Sequence, residues 1–195
     1  MRKMMKRTFL ALMAMLALSV EPGAAAAAEE RMAEERIIET FEDRPETRWR
    51  FIADTVMGGE STGKLDFATE NGTAYARLTG NVSTENNGGF IQFRTRLDTP
   101  PPDGTKGVRL SVRGNNQRYF VHLRTKGTLL PWQYYQAGFE ARADWAEIRL
   151  PLTAFEPSGW LLADTPAAAS LTSIGIVAFG RDHEALIEVR EVGFY

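Results

Sequence analysis

From Ile37 onward, apolar and polar residues alternate with a period of two, in short segments cut by clusters of Gly, Pro, Asn and Asp. Successive side chains of a strand point to opposite sheet faces, so this pattern predicts an antiparallel sandwich or barrel. Over residues 91–97, Ile91, Phe93, Thr95 and Leu97 share one side, and Gln92, Arg94 and Arg96 the other. Val108, Leu110 and Val112 alternate with Arg109, Ser111 and Arg113. Tyr119, Val121 and Leu123 alternate with Phe120, His122 and Arg124. Residues 145–150 form a further predicted strand stopped by Pro151. Residues 174–179 are apolar on both faces and belong at the centre of a sheet. A closing strand is expected over 185–195, turned in by Gly180-Arg181-Asp182-His183. The prolines at 100–102 with Asp103-Gly104 predict a loop, and Gly114-Asn115-Asn116 predicts a hairpin turn between its flanking strands. After residue 37 no helical period is sustained and no repeat of 20 to 50 residues is visible.

The first 28 residues read as an export signal. Arg2, Lys3, Lys6 and Arg7 form a basic start, residues 9–20 an apolar run too short to span a bilayer, and Glu21-Pro22-Gly23 a break before an alanine-rich cleavage region. An uncleaved anchor is the alternative. Residues 29–36 are charged and read as a linker, leaving 37–195 as one domain. No other apolar run is long enough to span a membrane, and a periplasmic or secreted monomer is expected. Removal of residues 1–28 takes four of the 23 basic and one of the 25 acidic residues, leaving 19 against 24. That balance argues against nucleic acid as a partner. The chain has no cysteine, which excludes disulfides, thiol catalysis and thiolate metal sites.

Two glycine pairs stand out: Asp54-Thr55-Val56-Met57-Gly58-Gly59-Glu60-Ser61, answered by Asn86-Asn87-Gly88-Gly89-Phe90. Each pair is flanked by small polar residues, the composition of turns that need φ > 0 or close backbone approach. Asp54, Gly58, Gly59, Ser61, Gly88 and Gly89 are therefore expected to be structural. The first motif is neither a nucleophile elbow, which needs glycine on both sides of the serine, nor a phosphate loop, which needs a lysine.

These motifs, with residues 107–114, Arg118-Tyr119, Trp132-Gln133-Tyr134, Phe139, the segment from Trp145 through Pro151 to Phe155, and residues 171–176, resemble the complex I intermediate-associated protein 30 family. The likeness runs from about Ile37 to Tyr195. It implies an all-β, jelly-roll β-sandwich like the galactose-binding domains, and a role as an assembly chaperone for respiratory complex I as in the mitochondrial members. This chain departs from the family in having Asn115 and Asn116 where an aspartate is common. Its export signal also sets it apart from matrix-side members, so the assembly role does not transfer unchanged.

No catalytic residue, metal site or cofactor is expected. His122 and His183 have no second ligand at metal-binding spacing, and Asp182-His183-Glu184 lacks the periodicity of a calcium loop. Asp54 and Glu147 are the only acid/base candidates for a hydrolase, a reading ranked last. Strand phase instead places Arg94, Arg113, His122 and Arg124 together on the outer side of one sheet, a concave face in a jelly roll. Guanidinium forks suit carboxylates, phosphates and sugar hydroxyls, and Trp132, Tyr134 and Trp160 supply stacking surfaces. The competing reading pairs these arginines with acids such as Asp54, Glu85 and Glu140. Trp49, Trp145 and Phe155 are assigned to the core. The leading expectation is a non-enzymatic binding or assembly domain holding a protein partner through this face, and the alternative is a carbohydrate-binding module whose partner is an envelope glycan.

Overall fold

The period-two segments become strands in a computed structural model that describes residues 35–195. The export signal expected over 1–28 and most of the linker expected over 29–36 lie outside the described residues. The strands are β1 (Arg36–Glu39), β2 (Arg50–Ala53), β3 (Thr62–Glu70), β4 (Thr73–Val82), β5 (Phe90–Arg96), β6 (Gly107–Gly114), β7 (Gln117–Thr125), β8 (Tyr135–Ala141), β9 (Ala146–Pro151), β10 (Glu156–Pro157), β11 (Leu171–Phe179) and β12 (His183–Phe194). Loops and five short 3-10 turns connect them among the described residues, and no helix there is long and apolar enough to cross a membrane.

Two antiparallel sheets result. Sheet A has the order β3-β4-β12-β6-β9, with β1 also paired to β12, and sheet B the order β10-β8-β7-β11-β5-β2. The core lies between them. It takes Ile91 and Phe93 from β5, Val108, Leu110 and Val112 from β6, Tyr119, Val121 and Leu123 from β7, and Ile174 and Ile176 from β11, all essentially inaccessible to solvent. As expected from its two apolar faces, β11 is central, flanked by β7 and β5. On β12 a bulge at Arg190 restores phase. The extra residue lets Val192 and Phe194 follow Val189 into the core, where strict alternation would have buried Glu191.

One expected pairing is corrected. Gly114-Asn115-Asn116 does not close a hairpin, because β6 pairs with β12 and β9 in sheet A while β7 pairs with β8 and β11 in sheet B. The turn is an arch that carries the chain from one sheet to the other. Its backbone amides bond across to the Arg142, Leu186 and Ala141 carbonyls, and the Tyr119 hydroxyl donates to Asn115 Oδ1 at 2.7 Å. A Cβ on Gly114 would sit 2.7 Å from the Leu186 carbonyl oxygen, so only glycine fits where the arch leaves sheet A. The apolar rows of β6 and β7 thus face each other through the core.

Candidate functional site

The two glycine pairs meet around one carboxylate. After β2 the chain makes a single 3-10 turn over Asp54–Met57, and Gly58 ends it in the left-handed region at φ 90°. This returns the chain so that the fully buried Asp54 side chain accepts four hydrogen bonds. They come from the Ser61 amide (2.9 Å), the Ser61 hydroxyl (2.5 Å), the Gly89 amide (2.5 Å) and the Phe90 amide (3.2 Å). A Cβ on Gly59 would lie 2.5 Å from Asp54 Oδ1, and one on Gly88 2.5 Å from Oδ2. Both residues must be glycine because the carboxylate fills that space. Burial pushes the Asp54 carboxyl up, but the four donors together hold it below its ordinary value. Ser61 extends the clamp by accepting from the Ser83 amide at 3.0 Å, which ties the start of β3 to the end of β4. Asp54, closed off from solvent, thus latches the two glycine turns together.

Arg113 does not join the expected cluster. It lies on β6, on the outer face of sheet A, whereas Arg94 on β5 and His122 and Arg124 on β7 belong to sheet B. Strand phase alone cannot say which sheet a strand joins, and the arch at Asn115 is what separates them. Arg113 bonds Glu188 and Glu70, and Glu188, itself buried, also accepts from Arg77 at 2.6 Å. Trp145, assigned to the core by sequence, is half-buried on this same outer face. It is clasped between the Arg113 and Arg190 guanidiniums, 4.7 and 4.8 Å from its ring centre. At the β9 edge, Arg109 bonds Glu147 and Glu191, and Arg149 bonds Glu147 and Glu35. The salt-bridged layer anticipated as the competing reading is present here, with Glu188, Glu70 and Glu147 in place of Asp54, Glu85 and Glu140. Trp49 and Phe155 are in the core as expected.

The outer face of sheet B is built differently. Cross-strand register aligns Arg50, Arg94, Gly175, His122, Gln136 and Glu156 in one row, and Ile52, Gln92, Val177, Phe120 and Gly138 in the next. A third row carries Arg96, Ser173 and Arg124. Gly175 leaves the centre low, since a Cβ there would meet Gln92 Oε1 at 3.1 Å. His122 stacks on Tyr134 with ring centres 4.0 Å apart and planes 10° off parallel, and its Nε2 bonds Gln136 Oε1 at 2.8 Å. Burial pushes the imidazole down to about 4, only partly offset by Gln136, so the ring is neutral near pH 7. Phe179 meets the edges of Phe120 and His122, and the Arg118 guanidinium lies 5.2 Å over Phe120 in the space that Gly138 leaves open. The result is a mixed aromatic and polar floor.

The cations of this face lack acidic partners. Among the described residues no carboxylate forms an ion pair with Arg94, Arg96 or Arg124. Arg124 is a loop anchor: its guanidinium donates to the Thr128 and Leu130 carbonyls at 3.0 and 2.8 Å, holding the turn that follows β7. Beside the face, at the β8–β10 edge, Trp132 and Trp160 stand 65% and 90% exposed. Ser158 joins their segments, its hydroxyl donating to the Trp132 carbonyl (3.1 Å) and accepting from the Tyr134 amide (3.0 Å). Of the predicted contact residues, Arg94, His122, Arg124 and Tyr134 therefore come together, Trp132 and Trp160 flank them, and Arg113 is on the far side of the molecule. Sequence reading missed Gln92, Gln136 and Phe179: Gln92 and Phe179 were marked only by the outward phase of strands it had assigned, and Gln136 lies on β8, which it had not assigned as a strand.

The hydrolase pair does not assemble, because Asp54 is buried beside β2 and Glu147 is ion-paired on the outer face of sheet A. Asp182, considered as a calcium ligand, accepts from both the amide and the hydroxyl of Thr84 at 2.7 Å.

Comparison with known proteins gives a family and a fold. The family described as Complex I intermediate-associated protein 30 matches residues 39–187. No curated protein matches the chain. Among solved structures, a family 11 carbohydrate-binding module from Clostridium thermocellum, in complex with a β-1,3-1,4-mixed-linked tetrasaccharide, superposes with a TM-score of 0.66 at 10% identity, covering 82% of this chain and 94% of the module. A family 30 carbohydrate-binding module of a Clostridium thermocellum cellulosomal cellulase gives 0.51 at 12% identity, over 70% and 90%. An exo-β-agarase gives 0.56 at 6% identity, over 82% of this chain and 25% of the enzyme. At such identities the likeness establishes the jelly-roll β-sandwich and nothing about ligands.

Proposed function

This chain belongs to the complex I intermediate-associated protein 30 family, and we propose that it is a non-enzymatic glycan-binding module whose ligand surface is the outer face of sheet B. The observation that carries this reading is the contrast between the two outer faces. Sheet A covers itself with guanidinium–carboxylate pairs, whereas sheet B presents Arg94, Gln92 and Gln136 beside the His122–Tyr134 stack with its charges unanswered. Sugars are held by planar amide and guanidinium groups on their hydroxyls and by rings against their C–H faces. Trp132 and Trp160, both strongly exposed, extend that surface past the sheet edge. The jelly-roll fold is one on which sugar-binding modules are built, as in the family 11 structure solved with its tetrasaccharide. The basic and apolar start of the chain supports a site of action outside the cytoplasm, and we propose a monomer there.

A second reading follows from family membership. Leu129, Leu130, Trp132, Trp160 and Leu161 are exposed on the loops at the β8–β10 edge, and in an assembly factor this apolar rim would hold a protein client. Calorimetric titration of the full chain with neutral and acidic oligosaccharides separates the two. The glycan reading expects binding that is lost in Gln92→Ala/Gln136→Ala and retained in the sheet A control Arg190→Ala. Binding lost only in the control, or absent across the whole panel, contradicts it.

A further inference from the structure

We propose that the groove between β5, β11 and the turn after β7 is an anion subsite that takes the carboxylate or sulfate of an acidic polysaccharide, an inference that rests on the glycan reading above. The groove encloses about 440 Å³ and is lined by Arg94, Arg96, Arg124, Thr128, Thr172 and Ser173, with Leu97. Register places Ser173 directly between Arg96 on β5 and Arg124 on β7, and Gly175, one row on, between Arg94 and His122. Side chains directly opposite on neighbouring strands lie about 5 Å apart at Cβ, so three guanidiniums surround a pit floored by a serine and a glycine.

Two independent observations mark this pit as incomplete. First, like charges converge without compensation. Arg94 is half-buried, and burial followed by the fields of Arg124 and Arg96 makes its cation less favourable than in water. Most arginines of sheet A are paired, whereas among the described residues these three have no acid, and Asp98, which lines the neighbouring groove with Arg94 and Arg96, ion-pairs with neither. Second, the Ser173 hydroxyl is buried with no hydrogen-bond partner among the described residues, and its residue is only 5% exposed. An anion oxygen between Arg94 and Arg96 would satisfy this hydroxyl and neutralise the cluster together. Arg124 supplies charge, since its donors are committed to carbonyls of its own turn. Arg94 and Arg96 have no such commitment and supply the donors.

The occupant is a glycan acid because the groove opens onto the aromatic and amide floor of the same face. A uronate or sulfated sugar seated at Arg94 directs its neighbouring residues over Gly175 toward Gln92, Gln136 and Tyr134. A small free anion would use only the pit.

The test compares the full chain with Arg94→Gln/Arg96→Gln, using alginate oligosaccharides, a sulfated galactan oligosaccharide, a neutral mixed-linkage glucan oligosaccharide and poly-L-glutamate of matched length. Among the described residues neither side chain has a hydrogen-bond or ion-pair partner, so the variant keeps the melting temperature of the parent, which controls for folding. Loss of a charge-assisted pair weakens binding about tenfold or more. The proposal expects the parent to prefer one acidic glycan over the neutral one by that margin, the preference to shrink with added salt, and the variant to lose it. Whether alginate or the sulfated galactan shows it identifies the acid. A parent that binds neutral glucan as tightly as either acid overturns the subsite and leaves the glycan face standing. Poly-L-glutamate binding as tightly as the acidic glycans, or a variant that keeps the acid preference, also overturns it. No binding to any glycan overturns both readings.

Discussion

Replacing Asp54 by asparagine changes one atom and should destabilise the whole sandwich. The carboxylate accepts two bonds from Ser61 and two from Gly89 and Phe90 at the start of β5. An amide keeps the shape and one acceptor oxygen, but its NH2 faces a backbone or hydroxyl donor that it cannot accept from. A charge-assisted bond is lost and a buried N–H is left unpaired, at about 3 kcal/mol in all. For a domain of this size each kcal/mol moves the melting temperature roughly 2–4 °C, so a fall of about 6–12 °C is expected by circular dichroism at pH 7. The sign of the pH effect follows from the lowered folded pKa. The latch contributes fully above the ordinary carboxylate value of about 4 and is lost as pH falls through the lower folded value, so parent and Asp54→Asn should converge in acid. Gly88→Ala should reproduce the loss, since its methyl group would fall on Asp54 Oδ2. A melting temperature within 2 °C of the parent for Asp54→Asn would refute the latch.

Other expectations follow from the two outer faces. His122, held neutral by burial, should show an NMR titration midpoint near 4 in place of about 6.5. Its folded pKa is depressed, so stability should rise with pH between those values, by about 3 kcal/mol for a shift of this size. Arg113→Ala removes one of the two guanidiniums on buried Glu188 and should cost about 1–3 kcal/mol in urea denaturation. Arg94→Ala orphans no carboxylate and should stay within about 0.5 kcal/mol of the parent. Trp49→Ala empties a core site and should cost about 3–5 kcal/mol, whereas Trp160→Ala, at a 90% exposed position, should leave the melting curve unchanged while weakening glycan binding.

Much of the sandwich was legible because burial imposes the alternation that strands display. Ile91, Phe93, Val121, Leu123 and Ile176 point inward as their phase requires, and the doubly apolar segment ending at Phe179 lies mid-sheet. Residues 62–82 were passed over, although Asn71-Gly72, with φ of 51° and 80°, is a strong turn signal and joins β3 to β4 as a hairpin. Sheet membership was not legible. A short Gly-Asn-Asn connection suits a hairpin and an arch alike, and choosing the hairpin put Arg113 with the wrong neighbours. Trp145 misled for a related reason: its ring is covered by Arg113 and Arg190, whose aliphatic stems and flat guanidiniums shelter an indole outside the core. The glycine pairs were recognisable as turns, but that they close on Asp54 depends on contacts between residues up to 36 positions apart.

Backbone amide NMR of the isotope-labelled chain, titrated with the tightest-binding oligosaccharide of the panel, tests the assigned face most directly. Shifts confined to β5, β7, β8, β11 and the indoles of Trp132 and Trp160, with the Trp145 indole and the outer positions of β12 still, are the expected result. Shifts centred on Arg113, Trp145 and Arg190, or none at saturating sugar, would contradict it.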